Sequence, residues 1–218
     1  MNARRWEQVA AACGILFVVL QNASQGLIQT GGMEPSFNAG ATEIVAFFEA
    51  RNASLFGVGD YLQSLSVITW VFFLGALWAR LRRFEDDPGW LSMITLASGL
   101  LVGTIYIAGG GWTLAMARLG DGLDPEIARL LFDQGNFGFA NIWVALAGMM
   151  LAAGIHVMTY QSLPRWMGWG AFVTALGLIV ARAFWTSGNG LLFVPYLMLW
   201  AWVSAASVVL VRRAGTAD

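Results

Sequence analysis

Charge is scarce in this sequence, and the scarcity decides its class. Only 11% of the 218 residues are Asp, Glu, Lys or Arg, while 58% are hydrophobic; an ordinary soluble domain is about 25% charged. A soluble chain of this length needs a polar shell, and too few polar groups are present to build one. A bilayer removes that need, because lipid tails accept apolar side chains wherever the backbone is satisfied internally. The chain reads as an all-α, polytopic membrane protein, with residues 1–218 forming one transmembrane domain.

Other absences narrow the chemistry. Cys13 is the only cysteine and His156 the only histidine. One cysteine permits neither an intramolecular disulfide nor a thiolate cluster. One histidine excludes a bis-histidine haem or a multi-histidine metal site within one chain. No P-loop, dinucleotide-binding glycine motif or nucleophile elbow is found, and no basic tract for nucleic acid. The sequence therefore nominates no catalytic residue, no metal ligand and no cofactor.

What is abundant is long apolar runs. Six segments reach the roughly 20 residues that a spanning helix requires: 7–28, 60–79, 90–112, 137–158, 167–185 and 191–211. All twelve basic residues are Arg, and eight of them (Arg4, Arg5, Arg80, Arg82, Arg83, Arg165, Arg212, Arg213) fall on one side. By the positive-inside rule that side, with both termini, is cytoplasmic, as expected for a bacterial inner membrane. Arg51, Arg118 and Arg129 lie outside, among eight acids that include Glu34, Glu49, Asp60 and Asp133. Trp6, Trp78, Trp90, Trp166 and Trp169 fit an inner aromatic belt, and Trp112 and Trp185 an outer one. Trp70, Trp200 and Trp202 are expected to pack nearer the middle. The basic start and Asn22-Ala23-Ser24 also fit a cleavable signal peptide, a reading that the symmetry below opposes.

The two long outer loops each predict a short amphipathic helix. In the second, Asp124 suits an N-cap and Pro125 the first helical position, with Ile127, Leu130 and Leu131 on one face. In the first, Thr42 can cap a helix with Ile44, Val45, Phe47 and Phe48 on its apolar side. The outer connection at 186–190 reads as a tight turn.

A repeat runs through these features. Phe48-Glu49-Ala50-Arg51-Asn52 matches Phe132-Asp133-Gln134-Gly135-Asn136 at an offset of 84, and the same offset carries Trp6 onto Trp90. Pro88-Gly89-Trp90 resembles Pro164-Arg165-Trp166. The chain thus reads as three helical hairpins, each beginning at a cytoplasmic Trp, around a pseudo-axis along the membrane normal. Repeat equivalence predicts that Glu49 and Asp133 are separated around the bundle rather than paired.

Polar groups are costly in lipid, so their placement is informative. They gather in the outer half: Gln21, Asn22 and Gln25 on the first helix, Gln63 on the second, Tyr106 on the third, Asn141 on the fourth, Arg182 on the fifth and Tyr196 on the sixth. These eight are the candidate ligand-binding residues. A competing reading makes them interhelical contacts at roughly 0.6 kcal/mol each. Arg182 needs a partner or water, and Asp60, Glu49 and Asp133 are the candidate ion-pair residues. His156, near the inner end, reads as a packing residue.

With the Pro-x-Trp start at Pro164 to Trp166, the Arg-ended second helix and six spans, the chain resembles bacterial six-helix membrane proteins grouped as a domain of unknown function. The resemblance implies an architecture and no catalytic residues. Three function classes follow: a non-enzymatic binding or transport protein with an outward-facing site for a small or amphipathic molecule or lipid, an accessory subunit or homo-oligomer packed against membrane partners, and an intramembrane enzyme. The first fits the polar outer half best.

Overall fold

The computed structural model describes residues 3–32, 34–187 and 190–215. Among them are eight α-helices and no strand: α1 (Ala3–Ile28), α2 (Ala41–Glu49), α3 (Ala53–Arg82), α4 (Trp90–Ala108), α5 (Gly111–Arg118), α6 (Pro125–Tyr160), α7 (Arg165–Ala183) and α8 (Val194–Gly215). Six segments, on α1, α3, α4 with α5, α6, α7 and α8, are long and apolar enough to cross a membrane. The protein is a multi-pass membrane protein.

The spanning helices close into a ring in chain order. α1 packs on α3, α3 on α4, α4 on α6, α6 on α7, α7 on α8, and α8 back on α1. α1 is thus an integral wall of the bundle. α6 is the most buried of the six: 61% of its most apolar stretch is buried, against 33–39% for the other five. Close approach between α3 and α4 depends on Gly99, where a Cβ would lie 2.6 Å from Leu74 Cδ2. That gap also lets Trp70 Nε1 donate to the Gly99 carbonyl at 2.8 Å. Trp202 is likewise satisfied in the core, donating to Met167 O at 2.9 Å.

One end carries eight of the twelve arginines and the other the long loops. At the arginine-rich end Trp6, Trp78, Trp90, Trp166 and Trp169 are all exposed, as an interfacial belt requires. Trp112 and Trp185 differ from expectation. Both are half-buried in aromatic clusters rather than facing lipid.

The long loops depart from prediction in two places. The N-cap of α2 is Gly40, which has no side chain to make a cap bond, and Thr42 lies inside the first turn. Its buried face is Ile44, Phe47 and Phe48. Asp124 does cap a helix, accepting from Glu126 N and Ile127 N at 2.8 and 3.3 Å. That helix, however, does not end in the loop. It runs unbroken for 36 residues as α6, and its early buried face is Ala128, Leu131 and Phe132, with Ile127 and Leu130 exposed. The loop's own short helix is α5. It arises because Gly109 and Gly110 end α4 and let the chain fold over the bundle. The 186–190 turn opens with a 3-10 turn at Trp185–Ser187, and its residues 188–189 lie outside the described residues.

α2 and α6 start at residues 41 and 125, an offset of 84. The matched segments nevertheless fold differently. Residues 50–52 break the chain between α2 and α3, with Asn52 Oδ1 accepting from Leu55 N at 3.0 Å, whereas 132–136 are continuous helix. The segments also meet: the Phe48 and Phe132 rings are 6.5 Å apart. The positions just before Glu49 and Asp133 are therefore neighbours, not remote points around the ring.

Candidate functional site

At the long-loop end, the helices leave a recess of about 180 Å³. Its upper side is an aromatic cluster made possible by two glycines. A Cβ on Gly135 would lie 2.3 Å from Trp112 Cδ1, and one on Gly111 2.3 Å from Leu131 O. Their absence lets α5 lie flat on α6 and stack Trp112 on Phe132, with centroids 5.8 Å apart and planes at 8°. Phe47 meets both rings edge-on, at 5.4 and 5.8 Å. The bundle side is also aromatic, where Phe139 packs against Trp185 and Phe193 at 5.8 and 6.2 Å.

Polar groups interrupt these apolar walls. Gln25 and Gln63 face the recess from α1 and α3, and Tyr106 faces it from α4. Asp60 and Glu34 supply two carboxylates, and Asn136 an amide. No Arg lies in the wall among the described residues. Asp60 Oδ1 accepts from Thr113 Oγ1 at 2.8 Å, tying α3 to α5.

Glu34 retains exposed surface, yet protein surrounds its carboxyl on most sides. Crowding in the recess disfavours the charged form and pushes its pKa up to about 7. A hydrogen bond from Asn136 and the charge of Arg51 oppose the rise without cancelling it. Arg51 itself is only 6% exposed. Its Nη1 donates to Phe47 O at 2.8 Å and its guanidinium lies 3.4 Å from the Phe47 ring centroid. Nε and Nη2 have no hydrogen-bond partner. Burial lowers its pKa, and Glu34 works against that.

Of the residues singled out from sequence, Gln25, Gln63, Tyr106 and Asp60 line the recess. The rest do other things. Gln21 is buried between α1 and α3, with Nε2 donating to Ser66 Oγ at 2.7 Å. Asn22 is exposed and bonds its own helix at Val18 O. Tyr196 bonds the Tyr106 hydroxyl behind the wall. Arg182 pairs with none of the expected acids: its Nε and Nη2 donate to Asn141 Oδ1 at 3.2 and 3.0 Å, pinning α7 to α6. Asp133 pairs with Arg129 at 3.5 Å, one turn away on α6. Glu49 is exposed at the end of α2. Sequence reasoning missed Glu34, Asn136, Trp112 and Trp185 as recess residues. Glu34 lay in a loop with no periodicity to place it. Asn136 was visible through the repeat, as the counterpart of Asn52.

A second polar cluster lies at the arginine-rich end. Glu85 accepts from Leu91 N and Ser92 N at 2.7 and 2.9 Å, which satisfies the free amides at the start of α4. Burial disfavours its charge, but these amide bonds, with Ser92 Oγ and His156 nearby, hold its pKa below the ordinary carboxylate value. His156 is fully buried, with Nδ1 3.0 Å from Ser162 Oγ and Nε2 3.8 Å from Glu85 Oε2. Arg80 and Arg213 both donate to Ser162 O, at 3.2 and 2.8 Å. A serine, a histidine and a carboxylate in this order resemble a nucleophile array. All three are buried, however, and the small cavity nearby, of about 50 Å³, is walled by other residues, including Arg80, Arg83 and Glu7. The arrangement locks α4, α6 and α8 together. Among the described residues no group of three His, Cys, Asp or Glu could hold a metal ion.

Comparison with protein families, with characterised proteins and with solved structures returns no match.

Proposed function

We propose that this protein is a non-enzymatic binding or transport protein of a bacterial cytoplasmic membrane, with the arginine-rich end in the cytoplasm. In this reading its three hairpins derive from a repeated unit, and it belongs with the uncharacterised six-helix proteins that its sequence resembles. The recess then opens outward and holds a small molecule. One observation carries the reading: apolar and polar groups converge on a single 180 Å³ recess at the long-loop end. Concave, mainly apolar sites with a few convergent polar groups are where small ligands bind.

Two measurements test it. In a Cys13→Ser background, Thr113→Cys should react with a membrane-impermeant thiol reagent on intact cells. Asp86→Cys, at the arginine-rich end, should react only after the cells are opened. The reverse pattern overturns the orientation. A density map of the protein in mild detergent should then show an ordered small molecule in the recess. A closed, dry recess with another protein chain on the helix faces would favour an accessory subunit instead.

A further inference from the structure

Resting on the reading of the recess as a ligand site, we propose that its ligand is a small organic cation: an ammonium group seated between Glu34 and Asp60, its apolar part held by Trp112, Trp185 and Phe139. Both the charge and the size of the recess point this way.

Among the described residues the wall contains two carboxylates and no Arg. Arg51, whose charge acts on Glu34, is buried with its guanidinium on the Phe47 ring and is not part of the wall. An anion would therefore meet two like charges with no exposed counter-charge. A neutral ligand would displace water from the two carboxylates without supplying a counter-charge. The aromatic surfaces favour a cation independently, because the negative face of an indole or phenyl ring attracts ammonium groups.

A bare metal ion fits less well. Divalent cations of the calcium or magnesium kind take six or more oxygen ligands, whereas much of this wall is aromatic carbon. The recess is too small to enclose a whole lipid. A 150 Å³ cavity accommodates benzene, so about 180 Å³ suits a molecule of about seven to nine non-hydrogen atoms.

The carboxyl of Glu34, pushed up to about 7, adds a proton to the exchange. The charged and titratable groups around it are Arg51, Asp60 and Tyr106, and none of them delivers a full positive charge into the recess. A protonated Glu34 must lose its proton to pair with an ammonium ion: the neutral acid and the cation give the ion pair and one free proton. Affinity should thus fall as pH drops below about 7.

The test is calorimetric titration of the full chain in detergent with three isosteric probes: 2-phenylethylammonium, 2-phenylethanol and phenylacetate. The cation should bind at least tenfold more tightly than the alcohol or the acid. Its affinity should fall between pH 8 and pH 6, and Glu34→Gln should abolish that pH dependence while weakening binding about tenfold at pH 8. Asp60→Asn should weaken binding similarly. Since Asp60 also holds Thr113, the Glu34→Gln titration and the wild-type pH series decide the matter if Asp60→Asn misfolds. If the alcohol or the acid binds as tightly as the cation, or Glu34→Gln binds like the wild type, the cation assignment is overturned and the recess remains a ligand site. If none of the three binds, both readings fall.

Discussion

Glu34, exposed beside the recess, and Glu85, buried, are carboxylates at opposite ends of one bundle, and their surroundings push them in opposite directions. Glu85 meets two backbone amides at the start of α4, and these outweigh burial, so it stays ionised below the ordinary value. Glu34 has one amide side chain and the charge of Arg51 in its favour, and crowding outweighs both, so its pKa rises to about 7. The difference lies in directed donors rather than in burial alone. A carboxylate whose donors are fixed parts of the backbone is committed to structure. One that lacks them has capacity left for something that arrives from outside.

Removing the committed carboxylate should have the larger effect. Glu85→Ala leaves the Leu91 and Ser92 amides without their acceptor, and should cost about 3 kcal/mol by the usual penalty for stranded buried donors next to a charged site. Unfolding in mixed SDS micelles measures it, and Glu85→Gln, which keeps an acceptor oxygen, should lose less. A wild-type-like midpoint for Glu85→Ala would break the contrast.

At the other end, Gly135→Ala forces a methyl group against Trp112. It should cost about 2 kcal/mol, as overpacking does, and weaken binding of 2-phenylethylammonium by tilting Trp112 off Phe132. Thermal midpoints and the same titration read both effects.

The pH dependence of stability should then separate the two carboxylates. Glu34 binds a proton more tightly in the folded chain, so its contribution is fully present below the ordinary value of 4.5 and is lost as pH rises through about 7. Glu85 has the opposite sign. Its contribution is present above 4.5 and is lost as pH falls through its lowered folded value. Glu34→Gln should flatten the stability curve between pH 5 and 7, and Glu85→Gln should flatten it on the acid side. Matching slopes in the two variants would erase the distinction.

The smallest effect should be at Arg182. Its bonds to Asn141 are on the exposed surface, so Arg182→Gln should cost under about 1 kcal/mol and leave titration of the recess unchanged. A large loss of binding would shift the site toward Arg182 and restore the anion alternative.

The legible part of this fold was set by hydropathy and by arginine. Apolar length located six spans, and the interfacial tryptophans at the arginine-rich end lie where expected, because lipid selects for both with little regard to tertiary detail. The loops were harder. Asp124 and Pro125 announced a helix start correctly, but nothing in residues 125–136 announced a stop, and the helix simply continued. Part of the recess was readable, since Gln25, Gln63 and Tyr106 are polar groups within apolar runs. Trp112 was misplaced because an interfacial tryptophan and a packed one have the same local sequence. What separates them is the bare surface of Gly135, 23 residues further on. Arg182 was misread for a similar reason: an unpaired cation suggests an acid, yet a neutral amide across a helix interface served.

The unbroken α6 also acts as a ruler. Asn136 in the recess and His156 in the buried cluster stand 20 residues apart on it, which at 1.5 Å per residue is about 30 Å, the full thickness of a hydrocarbon layer. The recess and the cluster are therefore separated along α6 by about one hydrocarbon thickness. Between the two marks α6 buries Ile142, Trp143, Leu146, Met149, Met150 and Ala153. Along that length the buried face of α6 is aliphatic and aromatic, so the two polar ends of the helix are set apart by an apolar stretch as long as a hydrocarbon layer is thick.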